Sequence, residues 1–214
     1  MQRYAMRSLG LGAAVLAAMV WSSSASAQSG PFTISARAGV AIPAGDLYQM
    51  QDPGFHAGGA LAFYFSQHVA LRGEFSADFL NSITDTFGEV PAPGMTLLHF
   101  NGGFEFNFTR PKWQDHPLTF LMAVGIGATS GSAKATYDDG TSVDWSQTML
   151  TGNASAEVGW QFNESVNVYL AGYAYLMKFG RENTEVFADR SLDVEPFEIG
   201  WTFPVTVGVR LTLQ

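Results

Sequence analysis

Apolar and polar residues alternate one by one along most of the chain, in eight segments separated by clusters of Gly, Pro, Asn and Asp. The last segment shows the pattern most clearly, because Val205, Val207 and Val209 alternate with Thr206 and Gly208. Successive side chains of a β-strand point to opposite faces, so a period of two predicts strands with one apolar and one polar face. The eight predicted strands cover residues 32–42, 57–65, 69–79, 98–108, 118–127, 150–162, 166–176 and 201–213.

The connections between these segments alternate in length. Residues 66–68 and 163–165 are predicted tight turns, and 109–117 is a somewhat longer one. Between them lie long polar connections, at residues 43–54, 81–94, 130–144 and 180–196. Short turns at one end and long loops at the other are typical of the periplasmic and extracellular ends of an outer-membrane β-barrel. Both chain termini are then expected on the periplasmic side.

Alternation alone does not say which face points inward, because a soluble lipocalin-like barrel has the same period with its apolar face inside. Only 14% of the residues are charged and there are three lysines, fewer than a water-facing exterior normally carries. Apolar-face aromatic residues also cluster near the short turns, as in an interfacial girdle. These are Phe32, Phe65, Phe106, Phe108, Phe120, Trp160 and Phe162. The predicted fold is therefore all-β: a transmembrane, antiparallel up-and-down barrel of eight strands, with a lumen filled by polar side chains.

The first 27 residues are predicted to be a secretory signal peptide. Arg3 and Arg7 precede an apolar stretch at 9–21, and small residues follow at 25–27. A membrane-anchor helix is the alternative, but the apolar stretch is short for a span and ends in three serines. Cleavage after Ala27 would leave residues 28–214 as a single outer-membrane β-barrel domain.

Composition excludes several classes of function. Cysteine is absent, so no disulfide, thiolate zinc site or cysteine nucleophile is expected. The net charge of -8, which becomes -10 when a leader containing two arginines is removed, argues against a nucleic-acid partner. Asp138, Asp139, Gly140 and Asp144 lack the full ligand spacing of a calcium loop, so no metal site is predicted, and no cofactor either.

The opening sequence Ser-Ala-Arg-Ala-Gly-Val-Ala-Ile-Pro at 35–43, with this architecture, resembles the small outer-membrane barrels of the OmpX type and of the OmpA transmembrane domain. The likeness covers residues 32–213. It implies an integral protein of a Gram-negative outer membrane, surrounded by lipid and lipopolysaccharide and inserted by the barrel assembly machinery. Two features depart from the family. The chain ends in Leu213 and Gln214 rather than in an aromatic residue, and no peptidoglycan-binding domain is expected after the last strand.

Six charged residues are predicted to form one layer in the lumen, because each lies on the polar face within about six residues of the short-turn end. They are Arg37, Arg72, Glu74, Glu105, Glu157 and Arg210. Three arginines and three glutamates in a narrow lumen must pair, since unpaired buried charge is costly. Arg72 and Arg210 are the expected partners of Glu74 and Glu105. The layer predicts an ionic plug that blocks a continuous pore, and His99, higher on the same face, is expected to join this network.

The favoured function is a structural and surface-interaction barrel that presents loops or extended strand edges to an extracellular partner. A narrow conduit for small or apolar solutes is the alternative. A barrel enzyme that modifies lipid A is disfavoured. The deacylase type resembles a His-x-Ser pair, which none of His56, His68, His99 and His116 begins, and residues 28–31 are too short for the amphipathic helix of the palmitoyltransferase type.

The predicted outer loops are strongly acidic: they contain twelve Asp and Glu residues, offset by Lys134, Arg181 and Arg190. Such loops repel anions and could bind divalent cations that bridge to lipopolysaccharide, although solvation of the acids alone would also explain the composition. Pro204 lies within the last predicted strand. Because it has no N–H to donate, a bulge or gap is predicted there.

Overall fold

The computed structural model describes residues 32–66, 68–82, 93–109, 117–136, 142–180 and 198–213, which belong to one compact unit spanning Pro31–Gln214. The predicted signal peptide lies outside the described residues, as do most of the predicted loops at 81–94 and 180–196. Across the described ranges, no helix is both long enough and apolar enough to cross a membrane.

The described residues form ten strand segments, which make eight strands of a barrel. The first strand is divided at Ile42 and the last at Phe203 and Pro204. The segments are β1 Phe32–Ala41, β2 Pro43–Gly45, β3 Gln51–Tyr64, β4 Val69–Ser82, β5 Met95–Asn107, β6 Leu118–Thr136, β7 Ser142–Gln161, β8 Val166–Lys178, β9 Ile199–Thr202 and β10 Val205–Leu213. The prediction of eight strands is confirmed.

Each strand pairs antiparallel with the next along the chain, and the ring closes because β10 pairs with both β8 and β1. Val207, for example, lies opposite Ala38 on one side and Leu170 on the other. Above the interruptions, β9 pairs with β8 and with β2. A closed ring leaves no unpaired sheet edge where water is absent, so the up-and-down barrel predicted from connection lengths is confirmed.

The apolar face of the strands points outward, as predicted. Val205, Val207 and Val209 are 49%, 60% and 44% exposed, whereas Thr206 and Arg210 between and beside them are buried. Large apolar residues on the other strands are exposed in the same way, among them Phe65, Phe108, Trp160 and Phe162 near the short turns. The barrel therefore presents an apolar exterior that suits lipid, and its polar residues line the lumen.

Two predicted loops contain regular structure, which corrects their boundaries. In the predicted loop at 43–54, β2 pairs with β9, Asp46–Gln49 forms a 3₁₀ helix and β3 begins at Gln51. In the predicted loop at 130–144, β6 continues to Thr136 and β7 begins at Ser142. These strand ends were missed because their outward residues, such as Ser130 and Thr148, are polar, so the alternation of apolar and polar residues stops before the pairing does.

The predicted interruption at Pro204 is confirmed, since β9 ends at Thr202 and β10 begins at Val205. Neighbouring strands remain attached on both sides of the gap. The Tyr173 N–H donates to the Pro204 carbonyl at 2.9 Å, and the Phe203 N–H donates to the Ile42 carbonyl at 2.8 Å.

An apolar cluster that the sequence analysis did not anticipate fills the lumen at the long-loop end. Leu47, from the 3₁₀ helix, and Met50, just after it, are fully buried there. The cluster consists of Ala41, Leu47, Met50, Leu80, Met95, Leu97, Ala133, Trp145, Met149, Met177 and Phe179. Polar residues thus fill the middle of the lumen, and this "apolar cap" covers them at the long-loop end.

Candidate functional site

Four buried charges form a closed ring across the lumen. Arg72 of β4 and Arg210 of β10 each bind both Glu105 of β5 and Glu157 of β7. The nitrogen–oxygen distances are 2.7 and 2.8 Å from Arg72 Nη1, and 3.1 and 2.8 Å from Arg210 Nη2, to Glu105 and Glu157 respectively. Each charge faces the lumen because its strand neighbours face outward, and none is more than 6% exposed. The ring alternates positive and negative groups and ties four strands together.

The other two predicted residues extend this ring toward the long-loop end. Arg72 Nη2 lies 3.0 Å from Glu74 Oε2, and Arg37 Nη2 lies 3.1 Å from Glu74 Oε1. The structure thus brings all six predicted residues into one network, with three positive and three negative charges. We call this network the charge layer. Arg72 binds both Glu74 and Glu105, whereas Arg210 binds Glu105 but not Glu74, whose second partner is Arg37.

Three tyrosines add hydrogen bonds to the network. Tyr175 donates to Glu74 at 2.5 Å, Tyr173 donates to Glu157 at 3.0 Å, and Tyr64 donates to Glu105. The Tyr173 ring also lies under the Arg37 guanidinium, 4.0 Å from its carbon to the ring centre. All three tyrosines lie on the polar face of their strands, but their partners depend on which strands lie across the lumen, and the sequence does not indicate that. Their bonds add to the rigidity of the six-residue layer.

A second buried cluster, centred on Asp78 of β4, lies between the charge layer and the apolar cap. His56 Nδ1 lies 2.5 Å from one carboxylate oxygen of Asp78, and His99 Nε2 lies 3.1 Å from the other. The Thr202 hydroxyl donates to Asp78 at 2.8 Å. Asp78, both histidines and Thr202 have no exposed surface. We call these four residues the Asp78 cluster.

The Asp78 cluster changes the expected place of His99. His99 contacts Asp78 and the Thr129 hydroxyl, at 2.7 Å, rather than any of the six charged residues. The connection to the charge layer runs through His56, whose Nε2 accepts a hydrogen bond of 3.2 Å from Arg37 Nε. Because Arg37 occupies Nε2, the Nδ1 of His56 carries the hydrogen that is donated to Asp78.

In the part of the chain that the structure describes, no group of three or more His, Asp and Glu residues could hold a metal ion. The imidazole nitrogens that face Asp78 are already in hydrogen bonds with its two oxygens. The lumen contains, in order from the short-turn end, the charge layer, the Asp78 cluster and the apolar cap.

The fold matches that of several solved bacterial outer-membrane proteins at low sequence identity. Neisserial surface protein A is 11% identical with a TM-score of 0.59, covering 85% of this chain and 97% of that one. OprG from Pseudomonas aeruginosa is 8% identical with a TM-score of 0.54, covering 87% and 97%. Ail of Yersinia pestis, in complex with the heparin analogue sucrose octasulfate, is 11% identical with a TM-score of 0.53, covering 87% and 100%. At these identities the likeness establishes the fold. No protein-family model and no curated protein matches the chain in sequence.

Proposed function

Since the chain has the fold of the small eight-stranded outer-membrane β-barrels, we propose that it is an integral outer-membrane protein with a structural and surface-interaction role and a closed lumen. The observation that carries the surface role is an extension of β6 and β7 beyond their neighbours. β5 pairs with β6 only as far as Ala133, and β8 pairs with β7 only from Leu150. We call the extension, residues 134–136 and 142–149, the outer hairpin.

The outer hairpin has an edge to which a partner can bind. The ladder between β7 and β8 begins at Leu150, so Ser146 and Thr148 come before its first pair. Gln161 donates its N–H toward β6 and Phe162 donates toward β8, so backbone groups of even-numbered residues along β7 point to the β8 side. Ser146 and Thr148 therefore direct N–H and C=O groups to this edge. Such groups bind an extended peptide by adding it as a further strand.

A proline at Ser146 is expected to abolish binding of extended peptides while leaving the barrel folded. Proline removes the edge N–H of this residue, but the ladder with β6 uses the odd-numbered residues. The probe is a peptide selected from a random phage-displayed library on the barrel in lipid nanodiscs, and affinity is measured by biolayer interferometry. Ser146→Thr, which keeps the N–H, is the matched control.

The expected result is a loss of binding of at least about tenfold in Ser146→Pro and little change in Ser146→Thr, since even one lost hydrogen bond of ~1.4 kcal/mol changes affinity tenfold. Equal binding to the two variants would show that this edge is not the interaction surface. Heat-dependent migration on an unboiled gel verifies that each variant is folded.

The closed lumen is expected to give little steady conductance in planar lipid bilayers. The charge layer, the Asp78 cluster and the apolar cap lie in series, so an ion would have to cross buried salt bridges and then an apolar zone. Large, long-lived current steps from the wild-type barrel would contradict the plug. Uptake of an apolar tracer into liposomes would favour the alternative function, a conduit for apolar solutes.

We propose that both termini and the short turns face the periplasm, and that the outer hairpin faces outward, where lipid and lipopolysaccharide surround the barrel. The barrel assembly machinery is the expected insertion partner. The chain lacks cysteine, so single Asp144→Cys and Ser165→Cys variants give unambiguous labels at two exposed sites. A membrane-impermeant maleimide applied to intact cells is expected to label the first variant and not the second. Labelling of Ser165→Cys alone would invert the orientation.

The partner is expected to be a protein segment rather than a polyanion. Ail was crystallised with a heparin analogue. In this chain the long segments 43–54, 81–94, 130–144 and 180–196 are strongly acidic, which disfavours a sulfated sugar. The ammonium of Lys134 in the outer hairpin is 3.0 Å from the Asp144 carboxylate.

Enzymatic activity is not part of this proposal. Thr129, His99 and Asp78 form a hydrogen-bonded series of the residue types found in hydrolytic triads. All three have no exposed surface and lie beneath the apolar cap, so a lipid substrate has no contact with the Thr129 hydroxyl in the folded barrel.

A further inference from the structure

A small recess lies in the lumen wall beside the charge layer. Two inward glycines, Gly103 of β5 and Gly125 of β6, form part of its wall. Ala123, Asn101 and Asn153 line the recess together with Arg72 and Glu74. The volume of the recess is about 10 Å³, which is at the lower limit for holding one water molecule.

Arg72, which lines this recess, has one unused donor. A guanidinium has five N–H groups. The two on Nη1 bind Glu105 and Glu157, and the two on Nη2 bind Glu74 and the Tyr173 hydroxyl. The fifth, on Nε, has no partner among the described residues, although Arg72 is only 4% exposed. A buried guanidinium N–H without an acceptor costs free energy, so it calls for a partner.

The two asparagines supply the complementary groups. Both side-chain atoms of Asn101, which is 7% exposed, and Oδ1 of Asn153 have no partner among the described residues. Asn153 Nδ2 faces Glu74 Oε1 at 3.5 Å, which orients its Oδ1 toward the space above Gly125, where a methyl group would lie 2.5 Å from that oxygen. The recess therefore offers two unused donors, on Arg72 and Asn101, and two unused acceptors, on Asn101 and Asn153.

We propose that this recess is a binding site for one water molecule, which accepts from Arg72 Nε, exchanges hydrogen bonds with Asn101 and donates to Asn153. A mixture of donors and acceptors suits a ligand that both accepts and donates. An anion would face the asparagine oxygens and the Glu74 carboxylate, and a cation would face Arg72. The bound water completes the fifth hydrogen bond of the residue that joins three glutamates, and so is part of the charge layer.

The test is water–protein magnetisation transfer by NMR on the full barrel, labelled with ¹⁵N-asparagine and ¹³C-methyl methionine, in nanodiscs. We expect a cross-peak of the sign of a long-lived bound water at the Asn101 side-chain amide. The methyl group of Met177, fully buried in the apolar cap, is the dry control and is expected to show none. Absence of the Asn101 cross-peak in the wild-type protein overturns the proposal without need of a variant.

Two further experiments locate the ligand and identify it. Ala123→Val places two methyl groups into the recess and is expected to remove the Asn101 cross-peak, whereas persistence of the peak in the folded variant would place the water elsewhere. Replacing chloride by sulfate in the buffer is expected to leave the Asn101 amide shifts unchanged. A shift that follows chloride concentration would identify an anion and overturn the water site.

Discussion

Replacing Arg72 by methionine is expected to lower the free energy of unfolding by about 4 kcal/mol, because removing one partner of a buried ion pair leaves an uncompensated charge. Arg72 lies within 3.0 Å of oxygens of Glu74, Glu105 and Glu157, so its loss leaves three carboxylates that share only Arg37 and Arg210. The measurement is urea unfolding in detergent micelles, followed by tryptophan fluorescence and by gel mobility without boiling.

The matched control is Arg210→Met, which removes contacts with two carboxylates instead of three and is expected to cost about 3 kcal/mol. Adding Glu105→Gln to Arg210→Met should recover part of that loss, and a double-mutant cycle measures the coupling between the two residues. Strict additivity would show that Arg210 and Glu105 do not interact. A neutral effect of Arg72→Met would refute a stabilising charge layer altogether.

Replacing Asp78 by leucine is expected to lower the free energy of unfolding by about 3 kcal/mol, since buried donors left without an acceptor each cost ~1–3 kcal/mol. His56, His99 and Thr202 would all lose their shared acceptor, and their elements, β3, β5 and β9, are joined to β4 through it. The free energy of unfolding is measured as for Arg72.

Asp78→Asn is the control for this cluster. Its amide keeps one acceptor oxygen and the side-chain shape, so it is expected to retain part of the stability that leucine loses. If leucine and asparagine were equally tolerated, the Asp78 cluster would contribute nothing to stability. If only asparagine were tolerated, hydrogen bonding rather than packing would account for the effect.

The fold could be predicted from the sequence because every strand that crosses lipid must expose one apolar face. Val205, Val207 and Val209 alone reveal the period of β10. Above the apolar exterior that requirement ends, so the strand ends at Thr136 and Ser142 carry no such period and were assigned to a loop. Regular pairing there depends on backbone hydrogen bonds, which leave no pattern in composition.

The candidate site could be predicted from the sequence only in part, for a related reason. Arg72 and Glu105 are inward positions of long alternating segments, so their layer follows from counting along the strands. Which arginine meets which glutamate depends on the stagger of strands around the ring, and sequence does not specify the stagger. His56 was missed because it lies between Pro53 and Gly54, which indicated a loop, and the start of the predicted strand at residue 57.

Because the first and last strands are divided, the barrel wall has a separate short section at its long-loop end, formed by β2 and β9. Below the interruptions, β1 and β10 share nine paired positions, from Phe32 with Leu213 to Val40 with Val205. Above them, β2 and β9 share only three, and both breaks lie at the same height on one seam. Local unfolding proceeds in cooperative units whose stability follows their contacts. We therefore expect the seam between β2 and β9 to open at lower energetic cost than the seam between β1 and β10, beside which the charge layer lies.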